Sequence, residues 1–199
     1  MPRRLTKYGE SVLKKRAVGV EKFDADLKKM ADDLIETLYA ENGLGLAAPQ
    51  IGESARVFAI DMRRRADPDV PCPFTLDGRE LPLDICMPLV AVNPKVEPIG
   101  ARTEISEEGC LSFPGIYAEV ERSFAVRMDY LDVAGTPHTL VCEGLFARCV
   151  QHENDHLDGV CFVDRISQRQ LFSIESKLKR LKRQTRDFLR EHRDQIGKD

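Results

Sequence analysis

The residues best suited to chemistry lie in one short run, His152-Glu153-Asn154-Asp155-His156. On an α-helix, residues four apart lie on one face about one turn apart, so both imidazoles can reach a single ion. Glu153 is offset by one position, close enough to act as a base on a water molecule at that ion. The run therefore predicts a divalent-metal centre that activates water for hydrolysis.

The helix that must position this run is predicted over residues 144–157. The two histidines share one face of it with Leu145 and Cys149, and Glu153 lies on a neighbouring apolar stripe. Such positions point inward, where a carboxylate without a partner is costly, and a nearby dication with a bound water would offset that cost. The alternative is two core histidines with ordinary hydrogen bonds and a glutamate at the rim.

A catalytic metal site of this kind needs a third protein ligand and one open position. Downstream of the run, Asp158, Asp164 and Glu175 are candidates, and upstream there is Cys110, which follows Gly109. A lone cysteine is more often a small buried hydrophobe than a ligand. The spacing of the residues leaves the choice of third ligand open.

Two further helices are predicted. Residues 24–42 repeat apolar side chains at a period of 3.6, and Asp24 or Asp26 can cap the start. The last helix, about 167–193, is strongly basic. An uncharged run of small residues over 43–50 is expected to form a loop.

Strands are predicted at residues 55–61, 89–94, 116–133 and 138–142. Residues 63–88 are rich in proline and charge and are expected to form an irregular surface excursion. The strands cluster without alternating helices. The order therefore predicts an α+β fold, with antiparallel or mixed sheets around the helix that carries the histidines and with flanking N-terminal and C-terminal helices. We expect a single domain over residues 1–199.

The composition of the sequence argues against DNA-binding, membrane-spanning and secreted proteins. The 199 residues are 42% hydrophobic and 32% charged with a net charge of −3, which is ordinary for a globular protein and argues against a DNA partner. Apolar runs are too short for a membrane span, and the first residues lack the apolar region of a secretory signal. We therefore expect a cytoplasmic protein without a membrane partner, whose six cysteines are free thiols, most of them in the core.

Three short motifs resemble those of the peptide deformylase family. Gly43–Gln50 matches a G-Φ-G-Φ-A-A-x-Q pattern in which Φ is hydrophobic, Glu108–Ser112 matches E-G-C-L-S, and Gln151–His156 matches Q-H-E-x-D-H. All three occur in the family's order, and the resemblance covers residues 1 to about 165. The C-terminal helix is typical of bacterial members, whereas the 63–88 segment is longer than in compact ones.

The resemblance implies roles for particular residues. The implied metal ligands are Cys110, His152 and His156. Glu153 would be the general base and acid, and Gln50 with the backbone N–H of Leu111 would form the oxyanion hole. The implied substrate groove is shaped by Gly43, Leu44 and Gly45, with Leu145 and Cys149 beside the pocket for the methionine side chain. Arg148 is expected near that pocket, where it would narrow or polarise it.

The resemblance also implies cofactor and substrate. The metal would be Fe²⁺, one per chain, with Zn²⁺, Ni²⁺ or Co²⁺ as substitutes. The substrate would be the N-formylmethionine of newly synthesised proteins, which releases formate.

The basic helix has two interpretations. Its positive charges form a solvated face, or they contact ribosomal RNA or protein near the peptide exit. They number eight: Lys177, Lys179, Arg180, Lys182, Arg183, Arg186, Arg190 and Arg193. An apolar stripe from Leu171 to Leu189 is expected to dock the same helix onto the protein.

Two other functions stay open at this point. One is a zinc endopeptidase with the same histidine motif and a third ligand such as Glu175. The other is a closed structural metal site on a ribosome-binding module, which would have no exchangeable water.

Overall fold

A computed structural model describes residues 2–65, 67 and 69–192. Within these residues there are four α-helices: α1 (Ala25–Ala40), α2 (Leu83–Cys86), α3 (Gly144–Leu157) and α4 (Gln168–Glu191). Short 3-10 turns occupy Ser11–Lys14, Ala48–Ile51, Met62–Arg64 and Phe162–Asp164. The helices predicted at 24–42 and 144–157 are confirmed, the second to the residue.

The described strands form two antiparallel sheets, so the α+β fold is confirmed. The strands are β1 (Gly45–Ala47), β2 (Val57–Ile60), β3 (Phe74–Leu76), β4 (Leu89–Pro98), β5 (Thr103–Gly109), β6 (Tyr117–Ser123), β7 (Ala125–Leu131) and β8 (Pro137–Glu143). Six of them form one sheet in the order β1-β2-β4-β7-β8-β3, and β5 and β6 form a separate ribbon.

The large sheet lies between α1 and α3, and β2 explains the layering. Its four residues are all apolar and all buried. Val57 and Ala59 pack in the cluster that contains the inner face of α1, whereas Phe58 and Ile60 pack in the cluster that contains α3. A strand buried on both faces has no reason to alternate apolar with polar residues.

Helix α3 is enclosed by the sheet on one side and the ribbon on the other. It contacts β1, β2, β4 and β8 of the sheet and β6 of the ribbon. Nine of its fourteen residues are buried. A helix with this much burial holds its side chains in defined rotamers, which suits the two histidines that it carries.

Several sequence predictions need correction. The predicted 43–50 loop contains edge strand β1 and a 3-10 turn, and the 63–88 excursion contains β3, which pairs with β8 at the other edge of the sheet. The single strand predicted at 116–133 is two strands in different sheets, separated at Phe124. Strand β5 was not predicted.

Helix α4 packs along one side only. Ile174, Leu178 and Leu181 are buried in a cluster with Leu13 and Phe113. The predicted apolar stripe is less continuous than expected, because Leu171 and Phe188 are exposed, whereas Leu189 is half-buried. Ser167 caps the helix by accepting from the Gln170 N–H. Arg193, the last of the predicted basic residues, lies outside the described residues.

No helix in the described ranges is both long and apolar enough to cross a membrane. All six cysteines are free thiols, as expected, but only Cys142, Cys149 and Cys161 are fully buried.

Candidate metal centre

Three potential ligands meet between α3 and the ribbon. Cys110, His152 and His156 each offer one donor atom, and these atoms all lie within 4.8 Å of one another. The Cys110 sulfur is 3.2 Å from Nε2 of His156. One sulfur and two imidazole nitrogens are a donor set suited to zinc or iron. The side chains present therefore fit a metal ion.

Cys110 lies beside α3 because strand β5 of the ribbon ends at Gly109, directly before it. Gly109 closes β5 opposite Tyr117, and a Cβ on Gly109 would lie 2.6 Å from the Tyr117 ring. Glycine at this position thus leaves the space that the Tyr117 ring occupies against β5. After it, the Phe113 N–H donates to the Cys110 carbonyl at 2.8 Å and turns the chain, which presents the thiol to the histidines.

A second acidic residue orients His152, and sequence reasoning gave it no role. Oε2 of Glu108 accepts from Nδ1 of His152 at 2.9 Å, so Nε2 is the nitrogen left for a metal. Metal-binding histidines commonly donate their other N–H to a carboxylate in this way. The signal was available, because Glu108 opens the second matched motif.

Glu108 is held as a carboxylate. Burial alone would raise its pKa, but hydrogen bonds from Arg122 and His152 bring the pKa far below its usual range. Arg122 donates through Nε and Nη2, at 2.8 and 2.9 Å, and its Nη1 reaches Asp155.

Arg148 lines the cavity as expected, but its charge is engaged elsewhere. Its guanidinium donates to Glu108 and to the carbonyls of Val120 and Glu104. The residue therefore holds Glu108 and joins α3 to the ribbon.

Glu153 lies inside the protein with 3% of its surface exposed. Burial raises its pKa to about 7. Its Oε2 has no hydrogen-bond partner among the described residues. The carboxylate lies directly against Gly45, where a Cβ would come within 2.4 Å of Oε1.

Gln50 approaches the same point from the sheet edge. Its Oε1 accepts from the Ala47 N–H at 2.8 Å, which fixes the orientation of the amide. The NH₂ group then lies 3.4 Å from the Cys110 sulfur and 3.3 Å from the Ser112 hydroxyl. Gln50 is fully buried, so it is not a surface polar residue.

A cavity of about 440 Å³ opens beside these groups. Every residue predicted for the substrate groove lines it: Gly43, Leu44, Gly45, Leu145 and Cys149. Leu111 and Glu153 line it as well. Sequence reasoning missed Lys7 and Tyr117 at its wall, because the N-terminal segment and the far strand of the ribbon carry no motif that points to them.

The other acidic candidates for the third ligand lie elsewhere. Glu175 pairs with Lys179 on α4, Asp158 pairs with Arg56, and Asp164 pairs with Lys14.

Comparison with known proteins identifies the family. The family model described as polypeptide deformylase matches residues 2–171 of the chain. The chain belongs to the polypeptide deformylase family. A peptide deformylase of Opitutus terrae is 40% identical over 188 residues, which are 94% of this chain and 96% of the relative.

Solved structures agree in fold. A plant peptide deformylase is 33% identical with a TM-score of 0.78, over 94% of this chain and 92% of the plant chain. The peptide deformylase of Synechococcus elongatus, solved in complex with actinonin, is 38% identical with a TM-score of 0.73, over 88% of each chain.

Family membership establishes the activity. The chain is a metal-dependent hydrolase that removes the N-formyl group from newly synthesised polypeptides. The endopeptidase alternative is not favoured, since the third donor beside the histidines is Cys110 rather than Glu175.

Proposed function

We propose that Cys110, His152 and His156 hold one divalent ion at which the formyl group of a formyl-methionyl peptide is hydrolysed. The observation that carries this proposal is the convergence of one sulfur and two imidazole nitrogens beside a buried carboxylate. Three protein ligands leave a fourth position for water. We take Fe²⁺ as the cellular metal, one per chain, with Zn²⁺, Ni²⁺ or Co²⁺ able to replace it, because thiolate and imidazole suit these ions.

When bound, the ion would lower the pKa of a coordinated water molecule to about 7, which would supply hydroxide at neutral pH. Glu153 takes the proton of that water and then passes it to the amine of the methionine as formate leaves. Its unpartnered, buried oxygen supports this role, because no neighbouring group in the described chain competes for the proton there.

Two donors stabilise the negative charge that grows on the formyl oxygen. We assign the Gln50 amide and the backbone N–H of Leu111 to this oxyanion hole. The orientation of the Gln50 amide supports the first assignment. The second is supported by the position of Leu111 in the cavity wall, where its N–H has no acceptor among the described residues.

The peptide would lie along β1. This strand is an edge of the sheet, so its outer side can pair with an extended peptide, as in strand addition, with Gly43 and Leu44 leading into it. The methionine side chain would enter the apolar part of the cavity, beside Leu145 and Cys149.

The test is formate release from a formyl-methionyl tripeptide by anaerobically purified protein, with metal analysis on the same sample. Glu153→Ala should keep one metal per chain and lose turnover. Glu175→Ala is the matched control and should keep both. Loss of metal in Glu175→Ala would favour an endopeptidase-like ligand set instead.

Two further variants separate binding from chemistry. Cys110→Asp should weaken metal binding. Gln50→Leu should keep the metal and lower kcat by roughly 10²- to 10³-fold, the usual cost of removing an oxyanion-hole donor. Normal turnover in either variant contradicts the role assigned to that residue.

We further propose that the basic face of α4 contacts the ribosome. Lys177, Arg180 and Arg183 are exposed, and their side chains form no ion pair with the described residues, whereas the opposite face is buried. Unpaired positive charge of this kind favours RNA phosphates.

Charge reversal tests this contact without disturbing the packing of the helix. Ribosome co-sedimentation of Lys177→Glu/Arg180→Glu should fall below that of the unaltered protein, and binding of the unaltered protein should weaken as salt rises. Lys28→Glu/Lys29→Glu on α1 is the control. Equal co-sedimentation of both double variants would refute the contact.

Residues 1–199 are proposed to form one domain that acts in the cytoplasm, where formylated chains emerge. The shared core of α4 and the loop after Cys110 supports a single domain. Six free thiols suit a reducing compartment.

A further inference from the structure

The segment Thr6–Tyr8 joins the two loops that carry the assigned oxyanion donors. The Thr6 N–H donates to the Gln50 carbonyl at 2.8 Å, and the Thr6 hydroxyl donates to the Pro49 carbonyl at 2.9 Å. Two residues later, the Tyr8 N–H donates to the Ser112 carbonyl at 3.0 Å. Three consecutive residues therefore bridge the end of the first motif and the end of the second.

Lys7 lies at the centre of this bridge and enters the cavity. Its ammonium donates to the carbonyl of Leu111 at 2.8 Å. Its side chain lines the cavity that also contains Gln50 and Glu153. A hydrogen bond from a charged donor is about twice as strong as one between neutral groups.

The backbone that carries Lys7 is itself fixed. The Lys7 N–H donates to Oε1 of Glu10 at 2.8 Å. Arg4 holds the same carboxylate through two hydrogen bonds, at 2.9 and 2.7 Å. The ammonium is thus presented from an anchored segment, not from a free N-terminal tail.

The contacts of Lys7 determine where the Leu111 N–H points. That N–H belongs to the peptide group whose carbonyl is on Cys110, and Phe113 holds this carbonyl through its own N–H. The following peptide group has its carbonyl on Leu111, which Lys7 holds. With both flanking peptide planes fixed, the backbone at Leu111 has little freedom to rotate its N–H away from the cavity.

We propose that Lys7 is a positioning residue for the oxyanion hole: by holding the Leu111 carbonyl it keeps the Leu111 N–H aimed at the formyl oxygen. This inference rests on the proposed function, because it assumes that the Leu111 N–H is one of the two donors. It gives Lys7 no contact with the reacting atoms. Lys7 acts through Leu111, while Thr6 fixes the backbone of the other donor, Gln50.

The test compares Lys7→Met, Lys7→Arg and a control, Lys15→Met. Lys15 is exposed in the same N-terminal segment, and its side chain has no hydrogen bond or ion pair among the described residues. For each variant we would measure kcat and KM for a formyl-methionyl tripeptide, metal content, the thermal midpoint and amide hydrogen exchange at residues 110–113.

Lys7→Met should lower kcat about tenfold with KM changed less than twofold, because only the aim of a transition-state donor is lost. Exchange of the Phe113 amide, whose hydrogen bond to the Cys110 carbonyl holds the same turn, should become faster, while metal content and the thermal midpoint stay at the level of Lys15→Met. Lys7→Arg, which keeps charge and donor, should restore most of the kcat. A loss of kcat that is accompanied by lost metal or a lowered midpoint would indicate a merely structural role and overturn the proposal.

Gln50→Leu, measured in parallel, separates failure of this inference from failure of the proposed function. If Gln50→Leu loses turnover and Lys7→Met does not, Lys7 has no positioning role and the oxyanion hole stands. If neither variant loses turnover, the assignment of the hole is itself wrong, and the inference falls with it.

Discussion

Position 45 requires glycine because Glu153 occupies the space that a side chain would need. Its φ is not in the left-handed region, so alanine suits its backbone, but a Cβ would lie 2.4 Å from Oε1 of Glu153 and 2.8 Å from Cδ and Cγ. Gly45→Ala should therefore displace the carboxylate and lower kcat by about 10²-fold, the cost of a 1 Å misplacement in an active site. Formate release and far-UV circular dichroism would measure activity and fold.

Gly19→Ala is the matched control for this substitution. Its added Cβ would meet only the Asn93 side chain, at an ordinary 3.7 Å. It should leave kcat unchanged. Full activity in Gly45→Ala would mean that Glu153 moves without cost, and that its present position is not the working one.

Single residues differ in how far the sequence could predict them. Spacing alone predicted His152, His156 and Glu153 as site residues, because positions on one helical turn have a fixed geometry. Cys110 was one of several candidates until the family resemblance selected it, since the turn that delivers it depends on pairing between two strands. Glu108 and Lys7 act on atoms more than forty residues away along the chain, and no local pattern reports such contacts.

At the scale of elements, helices with a strong apolar period were predicted correctly, whereas half-exposed or very short strands were missed. Helix α3 is bounded by glycines with positive φ, Gly144 and Gly159, and its predicted limits were correct. Strand β5 has only Glu108 buried and exposes Ile105, so its sequence shows none of the apolar alternation that marks a strand. The three-residue strand β3 is too short for any period to appear.

The ion pairs behind α3 join it to the ribbon, and Arg122 is their common member. It is 4% exposed and pairs with both Glu108 and Asp155. Arg122→Met should lower the free energy of unfolding by about 3 kcal/mol, because a buried pair that loses one partner leaves a charge in the interior. Arg148 and Arg165 still reach the two carboxylates, which places the effect at the low end of the usual range.

Urea unfolding at pH 7 measures this effect. Arg127→Met, which removes an exposed pair with Asp129, is the control and should cost less than about 1 kcal/mol. Equal urea midpoints for the two variants would mean that the buried ion pairs do not contribute to the stability of the protein. Metal affinity should also fall in Arg122→Met, since Glu108 orients His152.

A second charged cluster joins Asp77, which directly follows edge strand β3, to His138 on the neighbouring strand β8. Nδ1 of His138 lies 2.8 Å from Asp77, and Nε2 lies 3.6 Å from Asp132. The hydrogen bond to Asp77 raises the pKa of His138 above 6.5. The folded protein therefore binds this proton more tightly than the unfolded chain does.

The resulting stabilisation has a defined sign with pH. It is fully present below pH 6.5, as long as the two aspartates stay ionised, and it disappears as the pH rises through the raised pKa of His138. His138→Gln should thus destabilise the protein at pH 6, by at most about 1 kcal/mol for so exposed a pair, and have less effect at pH 9. Urea midpoints at the two pH values provide the check, and a larger loss at pH 9 would contradict the assignment.

At the scale of the whole molecule, the described core consists of three apolar clusters, of which one contains α3 and another is completed by α4. The cluster under α4 contains Phe113 and Phe162, and Cys110 packs against it. The sequence predicted one domain and a basic helix docked by an apolar stripe, with its charges either solvated or in contact with the ribosome. The docking is confirmed, whereas its place, in the cluster against which Cys110 packs, depends on the fold and had no signal in the sequence.

The single-domain proposal predicts that α4 unfolds together with the rest of the chain. Leu178→Ala should lower the free energy of unfolding by about 2–4 kcal/mol, because Leu178 is buried and its removal leaves a cavity. Far-UV ellipticity and labelling of the buried Cys161 thiol, resolved by mass spectrometry, should shift together along the urea axis. The exposed Leu171, altered to alanine, is the control within the same helix and should change the midpoint little. If part of the ellipticity of Leu178→Ala were lost at lower urea than the labelling of Cys161, α4 would be a separately folding appendage, and the domain would end near residue 166.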